Sequence, residues 1–266
     1  MTIFKAVILG ILQGLAEFLP ISSSGHLVLF QKILGIEEPG MTFDILLHIG
    51  TLIPVFIVFW KDIWSIIKNP FQKMTLFIII GTIPTVIVAL LFNDLIESLF
   101  DGSNALYLAL AFFFTGIVLL YANQTESGKK DEKTMNIADS LVVGCMQAIA
   151  ILPGVSRSGS TISGALFRRV NRETAAKYAF LLSIPAILGA AVLKLKDFFT
   201  GGGEVITSQT AISYTAGFIA SAIFGYIAIR FMLKIISECK LKYFSYYVFV
   251  LGALILLDKY VFNLFF

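Results

Sequence analysis

Six apolar stretches constrain the fold of this chain more than any other feature. Each is roughly 17–20 residues long, which is the length an α-helix needs to cross a membrane. The composition agrees, since 58% of the 266 residues are hydrophobic and 14% are charged, against about 25% charged in a soluble domain. We therefore predict an all-α polytopic membrane protein with six transmembrane helices, near residues 43–60, 75–92, 105–122, 175–194, 211–231 and 244–262.

Two further apolar stretches, near residues 7–34 and 138–166, are interrupted by polar residues, Pro and Gly. The first contains the run Gln13-Gly-Leu-Ala-Glu-Phe-Leu-Pro-Ile-Ser-Ser-Ser-Gly-His26. A carboxylate at bilayer depth costs at least about 2.5–3.5 kcal/mol, and a helix broken by Pro and Gly frees backbone groups that lipid cannot satisfy. This run therefore predicts a polar site that protein or a water-filled cavity encloses.

The two interrupted stretches share one pattern at an offset of about 134 residues. The pattern is Gly-x-x-Gln, then Leu-Pro, then Ser-Gly, and it begins at Gly10 and again at Gly144. Such a repeat indicates an internal duplication. We predict a first repeat over residues 1–122, a polar linker over 123–136 and a second repeat over 137–266.

The positions of Lys and Arg indicate whether the interrupted stretches cross the membrane. If all eight stretches crossed, the loops on the two sides would carry nine and eight of these residues, which is no bias. If the interrupted stretches enter and return, one face collects fourteen and the other five, as the positive-inside rule expects. The rich face then holds loops 61–74, 123–137, 168–177 and 230–243. This favours two re-entrant helix-loop-helix hairpins in two inverted-topology repeats, with tips that meet near the midplane.

The two hairpin tips would bring together residues suited to phosphate chemistry. Arg157 is the one Arg or Lys that this arrangement leaves inside the bilayer, where it needs an anionic partner. The Gly and hydroxyl residues around it suit a phosphate. Gln13 and Glu17 lie one helical turn apart and could hold a divalent cation through oxygen ligands. Ser23 and His26 are three residues apart, close enough for the imidazole to accept the hydroxyl proton.

Structural explanations compete with each of these assignments. Serines after a proline usually cap a helix, and an intramembrane Arg–Glu pair could serve packing alone. Asp44 and His48 are expected to be a hydrogen-bonded pair within the first span rather than catalytic groups. The convergence of a carboxylate, an imidazole, a guanidinium and hydroxyls on two matched breaks favours a site. The net charge of +3, without basic residues interleaved with aromatics, argues against nucleic acid as a partner.

Three motifs resemble the signatures of bacterial undecaprenyl-diphosphate phosphatases of the bacitracin-resistance type. They are Gln13-x-x-x-Glu17, Pro20-Ile-Ser-Ser-Ser-Gly-His26 and Pro153-Gly-Val-Ser-Arg-Ser-Gly159. The resemblance runs essentially end to end. It implies hydrolysis of a C55 isoprenyl diphosphate to the monophosphate carrier lipid, bacitracin resistance, and dependence on a divalent cation, Mg²⁺ first and Ca²⁺ as a second option.

The resemblance also implies roles for individual residues. The first acidic position of the family motif is Gln13 here, which leaves Glu17 as the one motif carboxylate. The implied catalytic residues are Ser23, His26 and Glu17, with Glu17 also a metal ligand, and the implied substrate-binding residues are Arg157, Ser22, Ser156, Ser158, Thr161 and Gln13.

The mechanism and the assembly stay open at this stage. The favoured nucleophile is Ser23 with His26 as its base; the alternatives are a water held by Glu17 or His26, and His26 itself. We expect a multi-pass protein of the bacterial cell membrane, surrounded by bilayer lipid, with a site that opens to the outer face. A homodimer is one option for the oligomeric state. A lipid translocator using the same midplane site is the alternative function, because broken helices in inverted repeats also build transporters.

Overall fold

The computed structural model describes residues 1–36, 41–100, 104–126, 128–200, 207–238 and 240–266. Within these ranges the regular structure is helical, apart from one isolated backbone bridge between Lys130 and Val170. The helices are α1 Ile3–Phe18, α2 Ser23–Ile33, α3 Met41–Val58, α4 Trp60–Lys68, α5 Lys73–Leu91, α6 Asn93–Phe100, α7 Ala105–Gln124, α8 Ile137–Ile149, α9 Arg157–Phe167, α10 Arg172–Thr200, α11 Ser208–Ser237 and α12 Lys242–Leu257, which the short π-helix Asp258–Phe262 extends.

Five helices in the described ranges are long and apolar enough to cross a membrane: α5, α7, the Arg172–Leu193 part of α10, α11, and α12 with its π-helix. The pair α3 and α4 passes the same test as a sixth, but it bends by 84°. The prediction of an all-helical protein with long apolar helices near these positions is confirmed for the described residues, with five or six candidate spans. The predicted span 43–60 ends earlier in the structure, because the chain bends after Val58.

Helix α4 differs from the long helices in being amphipathic. Trp60 and Trp64 are exposed and their rings stack with centroids 5.7 Å apart, while Ile63 is buried against the core. Exposed tryptophans are typical of membrane–water interfaces. This short helix suits the end of the α3 span rather than its interior.

Both interrupted stretches fold as helix–turn–helix hairpins. Helix α1 ends at Phe18 because Pro20 offers no N–H and disfavours helical backbone in the residue before it. Ser22 caps α2, and its hydroxyl accepts from the Gly25 N–H at 3.2 Å. Ser156 caps α9 in the same way, accepting from the Gly159 N–H at 3.1 Å. The two caps occupy matched positions of the sequence repeat.

Each hairpin packs its first helix closely against a long helix of the other half of the chain. Helix α1 lies on α11, and a Cβ added to Gly10 would stand 2.3 Å from the Gly217 carbonyl oxygen. Helix α8 lies on α5, and a Cβ added to Gly144 would stand 2.4 Å from the Gly81 carbonyl oxygen. Small residues allow this approach of two backbones, which stabilises helix pairs in membranes.

Polar contacts join four segments at one end of the helix bundle. The Lys177 ammonium lies 2.6 Å from the Asp62 carboxylate and 2.5 Å from that of Glu132. The Lys242 backbone N–H donates to the Asn123 side chain at 3.2 Å. The loops near residues 61–74, 123–137, 168–177 and 230–243 therefore lie at the same end.

The opposite end of the bundle collects the N-terminus, the end of α2 and the start of α11. The Lys5 ammonium donates to the Leu34 carbonyl at 2.6 Å, and the Ser213 hydroxyl donates to the Met1 carbonyl at 3.2 Å. Both ends of the first hairpin thus lie at this end of the bundle. Cys145 is an exposed free thiol, and Cys239 lies outside the described residues.

Candidate active site

The turns of the two hairpins contact each other. The Ser158 hydroxyl of α9 donates to the Leu19 carbonyl in the first turn at 3.1 Å. The Gly154 N–H of the second turn donates to the Ser24 hydroxyl of α2 at 3.1 Å. Gly154 has φ +84°, which a glycine adopts without strain. These reciprocal bonds fix the two turns against each other and define the floor of the candidate site.

Glu17, at the end of α1, is the centre of the polar contacts at this junction. One carboxylate oxygen, Oε2, accepts from the Ser23 hydroxyl at 2.6 Å and from the Gln13 amide at 3.0 Å. The other, Oε1, accepts from the Arg157 guanidinium. Glu17 is 7% exposed, so its charge depends on these donors rather than on water. One carboxylate therefore links both hairpins.

The Arg157 guanidinium is only partly hydrogen-bonded in the described part of the protein. Its Nη2 group forms the ion pair with Glu17, while its Nη1 group is buried and has no hydrogen-bond partner in the described part of the protein. A guanidinium presents its N–H groups as a fork that matches two oxygens of a phosphate. The arrangement leaves one side of that fork for an anionic ligand.

The remaining hydroxyls of the predicted site bond to the backbone. Thr161 donates to the carbonyls of Arg157 and Ser158 within α9, at 2.9 and 3.2 Å. Ser22 and Ser156 accept from backbone N–H groups as helix caps. The structure places these residues around the site but gives their side chains structural contacts. Their predicted contact with substrate stays a prediction.

His26 lies on the other side of α2 from Glu17. Its Nδ1 is 2.8 Å from the Ser22 carbonyl oxygen and its Nε2 is 2.7 Å from the Tyr247 hydroxyl on α12. Its ring also meets the Phe112 ring edge-on, with centroids 5.6 Å apart. The predicted hydrogen bond between Ser23 and His26 does not form here, because Ser23 is the first residue of α2 and points back to α1 while His26 points to α7 and α12.

The comparison with known families decides what kind of protein this is. The sequence model of the family described as "Bacitracin resistance protein BacA" matches residues 6–254. This chain belongs to that family.

Curated relatives match the BacA-family chain over nearly their whole length. A protein of Carboxydothermus hydrogenoformans named undecaprenyl-diphosphatase is 49% identical, with 96% of this chain and 97% of the relative covered. Undecaprenyl-diphosphatase 3 of Bacillus cereus is 45% identical at the same coverage. An undecaprenyl-diphosphatase of Halothermothrix orenii is 44% identical, with 97% and 98% covered.

The structure adds one residue, Tyr247, to this BacA-family site that the sequence motifs do not contain. Tyr247 lies near the start of α12, and its hydroxyl is 2.7 Å from His26 Nε2. No local pattern marks Tyr247 as a partner of His26, because α12 lies far along the chain from the first hairpin. His48 on α3 has its Nδ1 atom 2.8 Å from the Asp44 main-chain carbonyl oxygen. The predicted hydrogen-bonded pair of Asp44 and His48 thus forms between the His48 ring and the Asp44 main chain.

The donor set of the BacA-family site limits which metal could bind. The described residues contain no group of three or more His, Cys, Asp and Glu side chains that could hold a metal ion. The Oε1 atom of Gln13 is buried without a hydrogen-bond partner in the described residues, close to Glu17, to which the Gln13 amide is bonded. Amide and carboxylate oxygens suit a hard cation such as Mg²⁺ or Ca²⁺. These residues fit such an ion when substrate oxygens complete its shell.

Proposed function

We infer that the chain hydrolyses undecaprenyl diphosphate to undecaprenyl phosphate and inorganic phosphate. This reaction returns the carrier lipid to cell-wall synthesis and confers resistance to bacitracin. The observation that carries the inference is the contact of Ser23 and Arg157 with the two oxygens of Glu17, where the interrupted stretches meet. Full-length relatives at 44–49% identity, named undecaprenyl-diphosphatase, support the substrate.

Arg157 binds the diphosphate in this proposal. Its Nη1 group, which has no hydrogen-bond partner in the described residues, can donate to diphosphate oxygens while Nη2 remains paired with Glu17. Phosphoryl transfer is accelerated mainly by positioning and by neutralising charge on the transferring group. Arg157 supplies a fixed positive charge for that purpose, in a site from which most water is excluded.

Ser23 is the proposed nucleophile and Glu17 its general base. The 2.6 Å contact between their oxygens allows the carboxylate to accept the hydroxyl proton. As the bond from the serine oxygen to the terminal phosphorus forms, the bond from that phosphorus to the bridging oxygen breaks. The proton passes from Glu17 to the bridging oxygen, and undecaprenyl phosphate leaves.

Water completes the reaction. It attacks the phosphoserine, Glu17 accepts a proton from the water, and the serine oxygen takes that proton as inorganic phosphate departs. Direct attack by a water held by Glu17 is the alternative within the same site. His26 fits the role of nucleophile or base less well than Ser23 and Glu17 do, because both of its ring nitrogens already have partners.

A divalent cation, Mg²⁺ or Ca²⁺, is part of the proposal. Glu17 and the Oε1 atom of Gln13 would hold it together with diphosphate oxygens. When bound, it would add positive charge against the transferring phosphoryl group. Gln13 would then act through its carbonyl oxygen while its amide group keeps Glu17 in place.

We propose that the hairpins are re-entrant and that the two halves are inverted repeats. If all eight stretches crossed, loop 168–177 would lie opposite loops 61–74 and 123–137. The contacts of Lys177 with Asp62 and Glu132 favour the re-entrant arrangement, since they hold these loops at one end. The reciprocal packing of α1 on α11 and of α8 on α5 supports the inverted repeat.

The site opens to the outer face of the bacterial cell membrane in this proposal. The first hairpin enters from the end opposite the Lys- and Arg-rich loops, and it carries the groups that handle water and protons. The isoprenyl tail would lie in a lateral apolar groove. One candidate is a cavity of about 340 Å³ between α5 and α10, lined by residues including Ile79, Ile83 and Pro185.

Release of inorganic phosphate from undecaprenyl diphosphate by the purified protein in detergent tests the proposed function. We expect phosphate release that depends on Ser23 and Arg157. Detergent contains no leaflets, so lipid translocation cannot be measured there. A folded protein that binds the lipid but releases no phosphate would point to a translocator instead.

A further inference from the structure

Tyr247 joins the first hairpin to the last long helix through His26. Its hydroxyl lies 2.7 Å from His26 Nε2, and the two rings stack with centroids 5.6 Å apart and an angle of 12° between their planes. The residues are 221 positions apart in the sequence. His26 is 2% exposed, whereas Tyr247 is 46% exposed. This contact therefore comes from tertiary packing, and no motif contains it.

The chemistry of the partners determines which atoms carry protons. The Ser22 carbonyl oxygen can only accept, so the Nδ1 atom of His26 must carry a hydrogen. In a neutral imidazole Nε2 is then the acceptor, and the Tyr247 hydroxyl donates to it. In an imidazolium Nε2 donates and the same hydroxyl accepts. Tyr247 can therefore hold His26 in one orientation in both protonation states.

His26 in turn holds the turn from which Ser23 projects. Its Nδ1 atom bonds to the Ser22 carbonyl oxygen, and Ser22 has φ +72°. This backbone conformation costs energy for any residue other than glycine. Ser23 follows at once and donates to Glu17 at 2.6 Å. Any release of Ser22 would change the direction of the Ser23 hydroxyl.

We propose that Tyr247 is a positioning residue of the hydrolytic site. It holds His26 against Ser22, His26 holds the strained turn, and the turn directs the Ser23 hydroxyl to Glu17. This inference rests on the proposed function, since it assigns a role in that reaction. It differs from a packing role, because it needs the hydroxyl of Tyr247 and not only its ring.

The test compares Tyr247→Phe with Tyr246→Phe in the purified protein. The first keeps the stacked ring and removes the hydroxyl; the second removes a hydroxyl from the neighbouring, 52% exposed tyrosine. We expect kcat for phosphate release to fall about tenfold in Tyr247→Phe, as for one lost hydrogen bond, with KM changed less than about twofold. Tyr246→Phe should match wild type.

Nitrogen NMR of the histidines gives a readout independent of activity. The chain has two histidines, so ¹⁵N-histidine labelling yields two sets of ring signals, and His48→Gln assigns them. We expect His26 to be the tautomer with hydrogen on Nδ1 in wild type, with ring signals that Tyr247→Phe shifts and Tyr246→Phe does not.

Three results would overturn the inference. They are hydrogen on Nε2 of a neutral His26 in wild type, an unchanged kcat in Tyr247→Phe, and equal losses in both tyrosine variants. The first needs no variant and applies even if Tyr247→Phe fails to fold. Each of these results leaves the proposed function standing as long as wild type releases phosphate. A folded wild-type protein that releases no phosphate would instead remove the proposed function itself.

Discussion

The two hairpins share a frame and differ in chemistry. In each, a serine caps the second helix through a glycine three residues later, and the matched glutamines Gln13 and Gln147 lie on the first helix. The position after the cap is Ser23 in one hairpin and Arg157 in the other. The matched serine caps therefore place one residue at the start of each second helix, and the identity of that residue sets the proposed role of the hairpin: Ser23 for nucleophilic attack and Arg157 for binding phosphate.

The backbones of the two turns differ as well. The first connection, Leu19–Ser22, is short, and its cap residue Ser22 has φ +72°. The second connection, Ala150–Ser156, is longer, and its cap residue has φ −74°, with the left-handed residue moved to Gly154. Of the two turns, the one that carries the proposed nucleophile is therefore the one with a non-glycine residue at positive φ, as at many active sites.

The largest expected effect is a difference in thiol labelling between the two ends of the helix bundle. We propose that the two hairpins enter from opposite sides of the membrane, so labelling in intact cells should be all-or-none. In a variant with both cysteines replaced by alanine, Gln209→Cys should react with an impermeant thiol reagent outside intact cells, because it lies at the end with the first hairpin. Lys133→Cys should react only after the membrane is opened. Labelling of Lys133→Cys in intact cells would restore eight spans.

Replacing Ser23, the proposed nucleophile on the first hairpin, should abolish most phosphate release. Ser23→Ala should lower kcat at least about 10³-fold, because no other hydroxyl takes its place beside Glu17. Ser24→Ala is the matched control: it loses one bond between the turns, at 3.1 Å, and should stay within about tenfold of wild type. A labelled diphosphate should leave acid-stable label on Ser23. Substantial turnover by Ser23→Ala would favour direct attack by water.

Replacing the guanidinium should impair binding in the second hairpin. Arg157→Lys keeps the charge and loses the fork that matches two phosphate oxygens, so kcat/KM should fall about 10²-fold. Arg168→Lys, at a 2.8 Å ion pair with the buried Asp139 at the opposite end of the second hairpin from its turn, is the control. It should stay within about twofold, since a lysine keeps the charge and Lys130 also pairs with Asp139. A folded Arg157→Lys protein with wild-type activity would remove Arg157 from the site.

The smallest expected effect concerns the frame that the hairpins share. Gly10→Ala and Gly144→Ala should each lower stability by about 1–3 kcal/mol, because a Cβ at either position meets a backbone carbonyl. Gly189→Ala should cause no loss, since a Cβ there meets no described atom within 4 Å. Thermal unfolding in detergent measures all three. Unequal losses for the matched glycines would show that the two frames are not equivalent.

Local signals were sufficient to predict much of the fold. Apolar length located the long helices, and Pro20 and Pro153 located the breaks, because each of these effects acts within a few residues. The bend after Val58 was missed, since the apolar pattern continues through Phe59 and Trp60. The structure shows the bend because α4 packs Ile63 against the core.

The residues of the candidate site were predicted more completely than their contacts. Glu17 and Arg157 were expected at one point, and they form an ion pair. The partner of Ser23 was not predicted, because spacing along α2 places His26 nearby but cannot give the rotation of α2 against α1. Tyr247 depends on how α12 packs, which no short pattern encodes.

The packing of α1 on α11 has a consequence for folding during synthesis. Synthesis delivers Gly10 and Glu17 to the membrane long before Arg157 and Gly217 leave the ribosome. During that interval the close-packing surface of α1 has no helix to meet, and its carboxylate has no guanidinium. The contacts that α1 makes with α11 and Arg157 can therefore form only after the second half of the chain has been synthesised.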